Sequence, residues 1–240
     1  MRTPNTPEGS TKRIDLLRRT AKEVKNYRVR MKMLSILLVL LTTFVGVVYV
    51  AAVLYEQSGS FTVRVNKYDM QKYGLTLSES KEMTRPTSHL NAKIAEKITN
   101  IAAESIDANV DMIDGQHNGR DYIAYTFYVQ NAGETEVSYD YDVKFSDVTN
   151  ALDEAIRLRL YVNGTPETFA KTKSDGTGAE PGTTEFHSAS IVTRGRVDSF
   201  KPGDKTKYTV VIWIEGNDPD CIDWLIGGKI KLDMDINIVH

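Results

Sequence analysis

The chain of 240 residues has only one cysteine, Cys221. No intramolecular disulfide can therefore form. Any exported part of the chain must be held together by its hydrophobic core, which is more typical of a bacterial surface than of an animal extracellular space. Stability is thus expected to come from packing rather than from covalent cross-links.

Catalytic motifs are also scarce. The sequence contains no HExxH motif, and its four histidines are scattered: His89, His117, His187 and His240. This pattern predicts no zinc peptidase site. Ser78 and Lys81 match an SxxK pair, but the Lys-Thr-Gly and Ser-Asp-Asn elements that accompany this pair in penicillin-binding folds are missing. We therefore expect a protein that is not an enzyme.

Charge is absent from residues 34–55, an apolar run of 22 residues. At about 1.5 Å per residue a helix of this length reaches about 33 Å, which exceeds the hydrocarbon core of about 30 Å. Backbone amides inside a bilayer must pair within their own segment, so an isolated run of this kind must be helical. The sequence predicts one transmembrane helix over residues 34–55.

The charges on the two sides of this run have opposite sign. Residues 1–33 carry ten basic and three acidic side chains, a net of +7, whereas residues 56–240 carry 20 basic and 29 acidic side chains, a net of −9. Positive flanks stay in the cytoplasm. We therefore predict a single-pass protein of the cell membrane, with a cytoplasmic tail at 1–33 and an extracellular domain at 56–240.

A cleaved signal peptide is the alternative to a retained signal-anchor. Val50, Ala51 and Ala52 have the spacing of a cleavage site, although they lie inside the apolar run. Signal peptides have shorter apolar regions of about 7–15 residues. Tyr49 and Tyr55 suit the interfacial aromatic belt of an anchor. Both interpretations stay open, and the anchor is favoured.

The tail has the pattern of a basic amphipathic helix. Apolar residues recur at spacings of three and four from Ile14 to Met31. The basic residues predicted to meet the membrane surface are Arg18, Arg19, Lys22, Lys25, Arg28, Arg30 and Lys32. Such a helix suits an anionic leaflet or a cytoplasmic partner, and it can equally serve only to set the topology.

Residues 122–129 and 137–145 alternate between apolar and polar positions on either side of a turn at 131–134. This pattern predicts a β-hairpin with one face in water. Tyr122 and Tyr128 fall on the predicted wet face and are candidate ligand-facing residues, with ordinary cross-strand pairing as the alternative. Arg157 and Arg159 are likewise predicted to point outward from a later strand.

Further elements follow from the same reasoning. Strands are predicted at 61–65, 75–77, 156–162, 208–214 and 230–238, a helix at 90–103, one helical turn at 150–155 and a mobile loop at 171–185. Several short strands with turns between them predict a mainly β fold, an antiparallel β-sandwich that is jelly-roll-like. Strand exchange through 61–65 is one route to a homo-oligomer, which charges on the final strand would discourage.

An acidic loop is the candidate metal site. Asp107, Asn109 and Asp111 have the oxygen spacing of a calcium loop, and Asp114 follows. Met112 stands where an EF-hand needs glycine, so only a looser calcium site is possible, with a solvated turn as the alternative. A second acidic group at 217–223 is more simply explained by turn-forming side chains.

Two stretches of the domain carry a resemblance. Residues 125–134 read Tyr-Thr-Phe-Tyr-Val-Gln-Asn-Ala-Gly-Glu, and residues 213–221 read Trp-Ile-Glu-Gly-Asn-Asp-Pro-Asp-Cys. The chain resembles envelope-anchored or secreted β-sandwich proteins of Gram-positive bacteria, and more distantly the TasA and camelysin group of surface and biofilm-matrix proteins. The resemblance implies a non-catalytic surface role in adhesion, matrix assembly or contacts with envelope proteins.

The function expected from the sequence is therefore a tethered β-sandwich at the cell surface. Its expected partners are the lipid bilayer and other envelope or matrix proteins, with no nucleic acid. The alternatives are an envelope ligand-binding or sensory module that signals through the basic tail and, less favoured, a membrane-bound peptidase.

Overall fold

The computed structural model describes residues 8–56, 60–93 and 98–239, and side chains from residue 24 onward except those of 51–56. The chain divides into two compact units, and the division falls after Glu56. The first unit is helical and the second is rich in β-strand. The mainly β class predicted for the larger unit is confirmed.

The first unit is a single helix, α1, over Glu8–Glu56. It joins the predicted tail helix and the predicted transmembrane helix without a break. Its segment Val24–Val50 is long and apolar enough to cross a membrane. Within that segment Thr43 donates its hydroxyl to the Val39 carbonyl at 2.7 Å, and Ser35 donates to the Met31 carbonyl at 2.9 Å. These bonds satisfy polar groups that would be costly in hydrocarbon.

The basic residues of the tail can be followed only in part. Lys25, Arg28, Arg30 and Lys32 are exposed on α1. The side chains of Arg18, Arg19 and Lys22 lie outside the described ones. The predicted amphipathic face of the tail therefore stays a prediction.

The second unit contains twelve strands and one α-helix within its described residues. The helix α2 covers Lys67–Tyr73. The strands are β1 (Ser60–Val65), β2 (Leu75–Ser78), β3 (His89–Lys93), β4 (Gly115–Gln116), β5 (Tyr122–Asn131), β6 (Val137–Val148), β7 (Ile156–Val162), β8 (Thr165–Ala170), β9 (Thr184–Glu185), β10 (Ile191–Phe200), β11 (Lys205–Ile214) and β12 (Ile230–Ile238). The five strands predicted outside the hairpin are confirmed, and so is a helical turn at Leu152–Glu154.

The strands form two sheets. One has five strands in the order β10-β6-β12-β1-β3, and the other has seven, in the order β2-β5-β11-β7-β8-β9 with β4 paired to β5. Most pairs are antiparallel, but β1 pairs with β12 in parallel and β8 pairs with β9 in parallel. Both sheets are mixed, so the predicted antiparallel jelly roll is not confirmed.

The inner faces of the two sheets contribute to one hydrophobic core. Phe61 of the five-stranded sheet contacts Tyr125 and Phe127 of the seven-stranded sheet, with ring centroids 6.1 Å and 6.5 Å apart. Phe127 in turn stacks on Tyr208 at 5.4 Å. Aromatic pairs at these distances add to the free energy gained from burial. The core therefore joins the two sheets through a chain of rings.

A smaller cluster lies on the opposite face of the seven-stranded sheet. Ile106 and Val110, from the irregular segment before β4, pack on Ala124, Val211 and Trp213 of β5 and β11. Trp213 is only 1% exposed as a result. The outer face of this sheet is thus largely covered, rather than wet as the alternation predicted.

The predicted hairpin is wrong. β5 pairs with β11, β2 and β4, whereas β6 pairs with β10 and β12, so the two strands lie in different sheets. The connection at 132–136 crosses from one sheet to the other. A turn-like composition therefore marks a change of direction here without marking a hairpin.

Two further predictions need correction. The described residues of 90–103 include no α-helix, because β3 occupies His89–Lys93 and pairs with β1. The strand β1 lies between β12 and β3, and β12 lies between β6 and β1, so neither is an edge strand. The backbone hydrogen bonds of both strands are therefore made within one chain. Because β1 is not an unpaired edge, the fold does not support strand exchange through 61–65.

Candidate functional site

The four predicted calcium ligands do not come together. Asp107 accepts the backbone N–H of Asn109 at 2.8 Å, which closes a local turn. Asp111 forms an ion pair with the Lys207 ammonium at 2.9 Å. Asp114 accepts a tyrosine hydroxyl from β5. No three carboxylates of this loop, among the described residues, lie close enough to share a cation. The predicted calcium site is therefore not supported.

The two candidate ligand-facing tyrosines are not free. Tyr128 is 6% exposed and donates its hydroxyl to Asp114 at 2.6 Å. Its burial, together with the Asp114 carboxylate, raises the pKa of Tyr128 well above its usual range. Tyr122 is half-buried against the outer cluster of Trp213. The prediction that these rings are exposed is wrong because the segment before β4 covers this face.

The SxxK pair lacks the geometry of a catalytic dyad. Ser78 lies in the strand β2 rather than at the start of a helix, and it is 1% exposed. Its hydroxyl oxygen accepts the backbone N–H of Ser80 at 3.1 Å. Lys81 is exposed in the turn that follows. The buried hydroxyl of Ser78 is thus used in a local turn.

A buried cluster of charged groups lies on the outer face of the seven-stranded sheet. Arg157, predicted to point into water, is 4% exposed and donates to the Asp218 carboxylate at 2.5 Å. Its guanidinium also lies 3.7 Å from Glu180. Asp218 accepts the backbone N–H of Asp220 at 2.8 Å, so it also forms the predicted turn. Arg157 links β7 to the two loops that carry these acids.

Glu180, Asp218 and Asp220 form a group of three neighbouring carboxylates. Their carboxylate oxygens lie within 4.8 Å of one another, the only such group of three in the described part of the chain. The guanidinium of Arg157 already supplies a fixed positive charge to two of them. A buried charge is stable only when it is paired. Arg157 therefore occupies the position between two of the three carboxylates and would compete with a metal ion for their oxygens.

Two adjoining pockets open beside this cluster. One, of about 510 Å³, reaches from Trp213 and Asp218 to the loop at 180–183. The other, of about 560 Å³, lies over β7 and β8. They share Arg159, Thr168, Gly182 and Thr183. Pockets of this volume are in the range that binds small molecules. Together they form one groove, which we call the Arg159 groove.

Arg159 occupies the centre of this groove. Its guanidinium stacks over the ring of Trp213 at 5.2 Å from the centroid. Its Nε donates to the Thr168 hydroxyl at 3.0 Å. Arg159 forms no ion pair with any described residue, in contrast to Arg157 two positions earlier. The stacking and the hydrogen bond fix the guanidinium while its charge remains unmatched.

This arrangement is chemically suited to an anion. A planar guanidinium binds carboxylate and phosphate groups through paired N–H donors. A fixed guanidinium loses little conformational entropy when it binds. Lys173 lines the same pocket, but so do Glu104, Glu180, Glu215 and Asp218, so the lining of this pocket holds three basic and four acidic groups. Among the described residues that line the groove, Arg159 is the basic group that is held in place without an ion pair, so it is the candidate contact for a small acidic group.

Sequence reasoning placed Arg157 and Arg159 on one face of β7 but did not separate their roles. The two arginines differ in their contacts with residues that are far from β7 in the sequence. Asp218, 61 positions from Arg157, neutralises the first arginine, whereas Thr168 and Trp213 hold the second. Only the pairing of β7 with both β8 and β11 brings these residues together.

Comparisons with known proteins give no family. No protein-family model and no curated protein matches the chain. Among solved structures, one match is a β-glucosidase from Kluyveromyces marxianus in complex with glucose, at 13% identity and a TM-score of 0.21. The match covers 67% of this chain and 15% of the length of that one. A likeness at this level carries no information on the fold or activity of the chain.

Proposed function

We propose that this protein is a single-pass membrane protein that presents a non-catalytic β-sandwich at the cell surface. The observation that carries the proposal is the helix α1. Its apolar side chains over Val24–Val50 are exposed, and none of that segment is buried within the protein. Apolar surface of this extent needs an apolar environment. A lipid bilayer provides it.

The charge split supports the direction of insertion. The short segment before the apolar run carries a net charge of +7, and positive segments of this length stay in the cytoplasm. The β-rich domain then lies outside. The resemblance to surface and biofilm-matrix proteins of Gram-positive bacteria supports a role in adhesion, matrix assembly or contacts with envelope proteins.

Topology is the decisive test. A sequence for a site-specific protease is inserted at residues 57–59 of the full chain, and the control variant carries the same insertion before Glu8. Protease is added to intact bacterial protoplasts that express each variant. We expect cleavage of the first variant only, with the helical fragment retained in the membrane. Cleavage only after lysis would overturn the orientation, and mature protein starting at Val53 in the medium would establish a cleaved signal peptide.

A second function, an envelope ligand-binding module, is supported by the Arg159 groove. The unmatched, stacked guanidinium is the observation that favours it. The ligand expected from this chemistry is a small anion or an acidic group on a larger polymer. The basic tail of α1 would then be the route of signalling to a cytoplasmic partner.

The groove can be tested by titration calorimetry of the full chain in detergent. Glucuronate and glycerol phosphate serve as carboxylate and phosphate probes. We expect Arg159→Ala to abolish binding of the probe that the wild type binds, and Arg85→Ala, an exposed arginine elsewhere in the domain, to leave it unchanged. Equal loss in both variants, or no binding by the wild type, would reject the groove as an anion site.

A further inference from the structure

An exposed apolar tip precedes the strand β12. Ile222 is 59% exposed, Trp224 is 74% exposed and Ile226 is 75% exposed, at alternate positions of one short segment. Large apolar side chains this open to water are scattered singly on most soluble domains, and three together mark a surface that contacts something apolar. We call residues 222–228 the Trp224 loop.

The loop holds these side chains outward. Leu225, between them, is buried in the main core. Backbone bonds from Leu225 to Ile222 and from Ile226 to Asp223 close a helical turn, and Asn150 donates its side-chain amide to the Ile226 carbonyl at 3.0 Å. The three side chains are thus presented on a fixed turn. These contacts hold the backbone of the turn in a conformation in which all three side chains are exposed.

The strand register places the loop at a specific end of the domain. β1 and β12 run in parallel, with Ser60 opposite Lys231. The start of β1 therefore lies beside the start of β12, directly after the Trp224 loop. Three residues, 57–59, separate Ser60 from Glu56 in the sequence. The loop lies at the end of the domain that the chain enters from α1.

Lysines without ion pairs lie near the apolar tip. Lys93 and Lys231 are the register partners of Ser60 on its two sides, and Lys229 follows the loop directly. None of these three lysines forms an ion pair with a residue that the structure describes. The acidic side chains at this end are Asp223 in the loop, Asp220 just before it, and Asp147, the register partner of Lys231 on β6. Basic residues near a bilayer surface add about 1 kcal/mol each when the lipids are anionic.

We infer that the Trp224 loop inserts into the interfacial region of the bilayer on the side where α1 leaves it. This inference rests on the proposed anchoring by α1. Trp is the residue most suited to the interface, because its ring is amphipathic. A protein partner fits the observations less well, since three side chains fall far short of the roughly 800 Å² per partner of a standard interface. The loop would give the protein a second contact with the bilayer, shallower than that of the helix α1.

The chain provides its own optical probe for this contact. Its two tryptophans are Trp213, which is 1% exposed inside the domain, and Trp224. The full chain is reconstituted in vesicles of phosphatidylcholine and phosphatidylglycerol, with and without bromine atoms on the upper acyl chain. Bromine quenches only tryptophans that enter the bilayer. We expect brominated lipid to quench the emission of the Trp213→Phe variant and to leave that of Trp224→Phe unchanged.

The possible outcomes distinguish failure of the loop insertion from failure of the membrane anchor. Vesicle flotation after a high-salt wash reports whether α1 holds the protein in the bilayer, and loss of flotation would reject the anchor itself. Flotation without quenching of Trp224 would overturn the loop insertion and leave the anchor standing. In the Trp213→Phe background, Ile222→Ser with Ile226→Ser should reduce the quenching, because the remaining apolar area is smaller. Unchanged quenching in that variant would also contradict the inference.

Discussion

The hydroxyl oxygens of Tyr139 and Tyr208 lie 3.0 Å apart in the middle of the core, one from each sheet. Tyr139 belongs to β6 and Tyr208 to β11, and both are fully buried. Burial raises the pKa of Tyr139 to about 12 and that of Tyr208 well above its usual range, so both are neutral at physiological pH. This polar contact joins the two sheets inside a core that is otherwise built mainly from apolar side chains.

We expect Tyr139→Phe to lower the free energy of unfolding by about 1–2 kcal/mol, because it leaves the Tyr208 hydroxyl buried without this partner. Tyr208→Phe should cost less, since the Tyr139 hydroxyl keeps a bond to Thr206. Urea unfolding of both single variants and the double variant measures the coupling. Strictly additive effects would show that the two hydroxyls do not stabilise one another.

The Arg157 cluster predicts a larger effect. Replacing Arg157 by Ala leaves Asp218 buried without its counter-charge, and breaking a buried pair in this way costs about 3–5 kcal/mol. The double variant Arg157→Met with Asp218→Asn should recover only part of that loss, because Asn keeps the bond to the Asp220 N–H while Glu180 stays buried without its counter-charge. Arg159→Ala is the matched control, because Arg159 has no buried carboxylate to leave unpaired. A similar loss of stability in both single variants would contradict the distinction drawn between the two arginines.

Asp235 predicts a dependence on pH. Burial acts to raise the pKa of its carboxyl, but hydrogen bonds from Lys144 and Arg64 outweigh burial and hold the pKa below its usual range. A lowered pKa stabilises the fold above the unfolded value of about 3.9, and this contribution is lost as the pH falls through the folded value. We expect Asp235→Asn to cost about 1 kcal/mol at pH near 7.

The cost of Asp235→Asn should shrink in acid, as the pH falls below the unfolded value of about 3.9 and then through the lower folded pKa. Denaturant unfolding at neutral pH and at a series of acid pH values measures this decrease. Asp223→Asn, an exposed acid without an ion pair among the described residues, is the control and should show no such decrease. A cost that is independent of pH would mean that Asn disturbs packing rather than charge.

The connection between β5 and β6 depends on a close backbone contact. Gly133 lies against the Tyr73 carbonyl, and a Cβ atom at this position would overlap that oxygen. The neighbouring backbone N–H of Ala132 donates to the Gly74 carbonyl at 2.9 Å, so the contact cannot easily open. We expect Gly133→Ala to cost at least about 2 kcal/mol. Gly216→Ala, whose nearest contact is a side chain at 3.6 Å, should change thermal stability little.

The same contact explains why the sequence predicts a hairpin that does not exist. Strand positions on either side of residues 131–134 are correct, because alternation within a strand is a local property. Which partner each strand takes depends on long-range packing. In this case Gly133 is in close contact with the carbonyl of Tyr73, the last residue of α2. Asn131 shows the difference, since its side chain donates to the Thr135 and Phe200 carbonyls and so ties the crossing connection to β10.

Burial on the outer face could not be predicted for a related reason. The alternation in β5 separates the two faces of the strand but does not say whether a further layer covers the second face. By their positions in the alternation, Thr126 and Tyr128 are expected to face solvent. Thr126 is instead buried, and its hydroxyl oxygen lies 2.7 Å from that of Thr209 in a hydrogen bond. The Arg159 groove depends on this covering layer and on loops far apart in sequence. The alternation in β7 identifies both Arg157 and Arg159. It does not show that Arg157 is paired with Asp218 while Arg159 stacks on Trp213.

The pairing of β1 with β12 sets an order of events for biogenesis. Arg64 and Asp235, which are hydrogen-bonded at 2.9 Å, are 171 positions apart, so the first strand has no neighbour on that side until the last has been synthesised. Contacts over such a separation slow folding. Under the proposed topology, β1 would leave the translocation channel long before β12 and would stay paired on one side at most for the greater part of synthesis. The folding of the whole domain would then have to wait for its last strand.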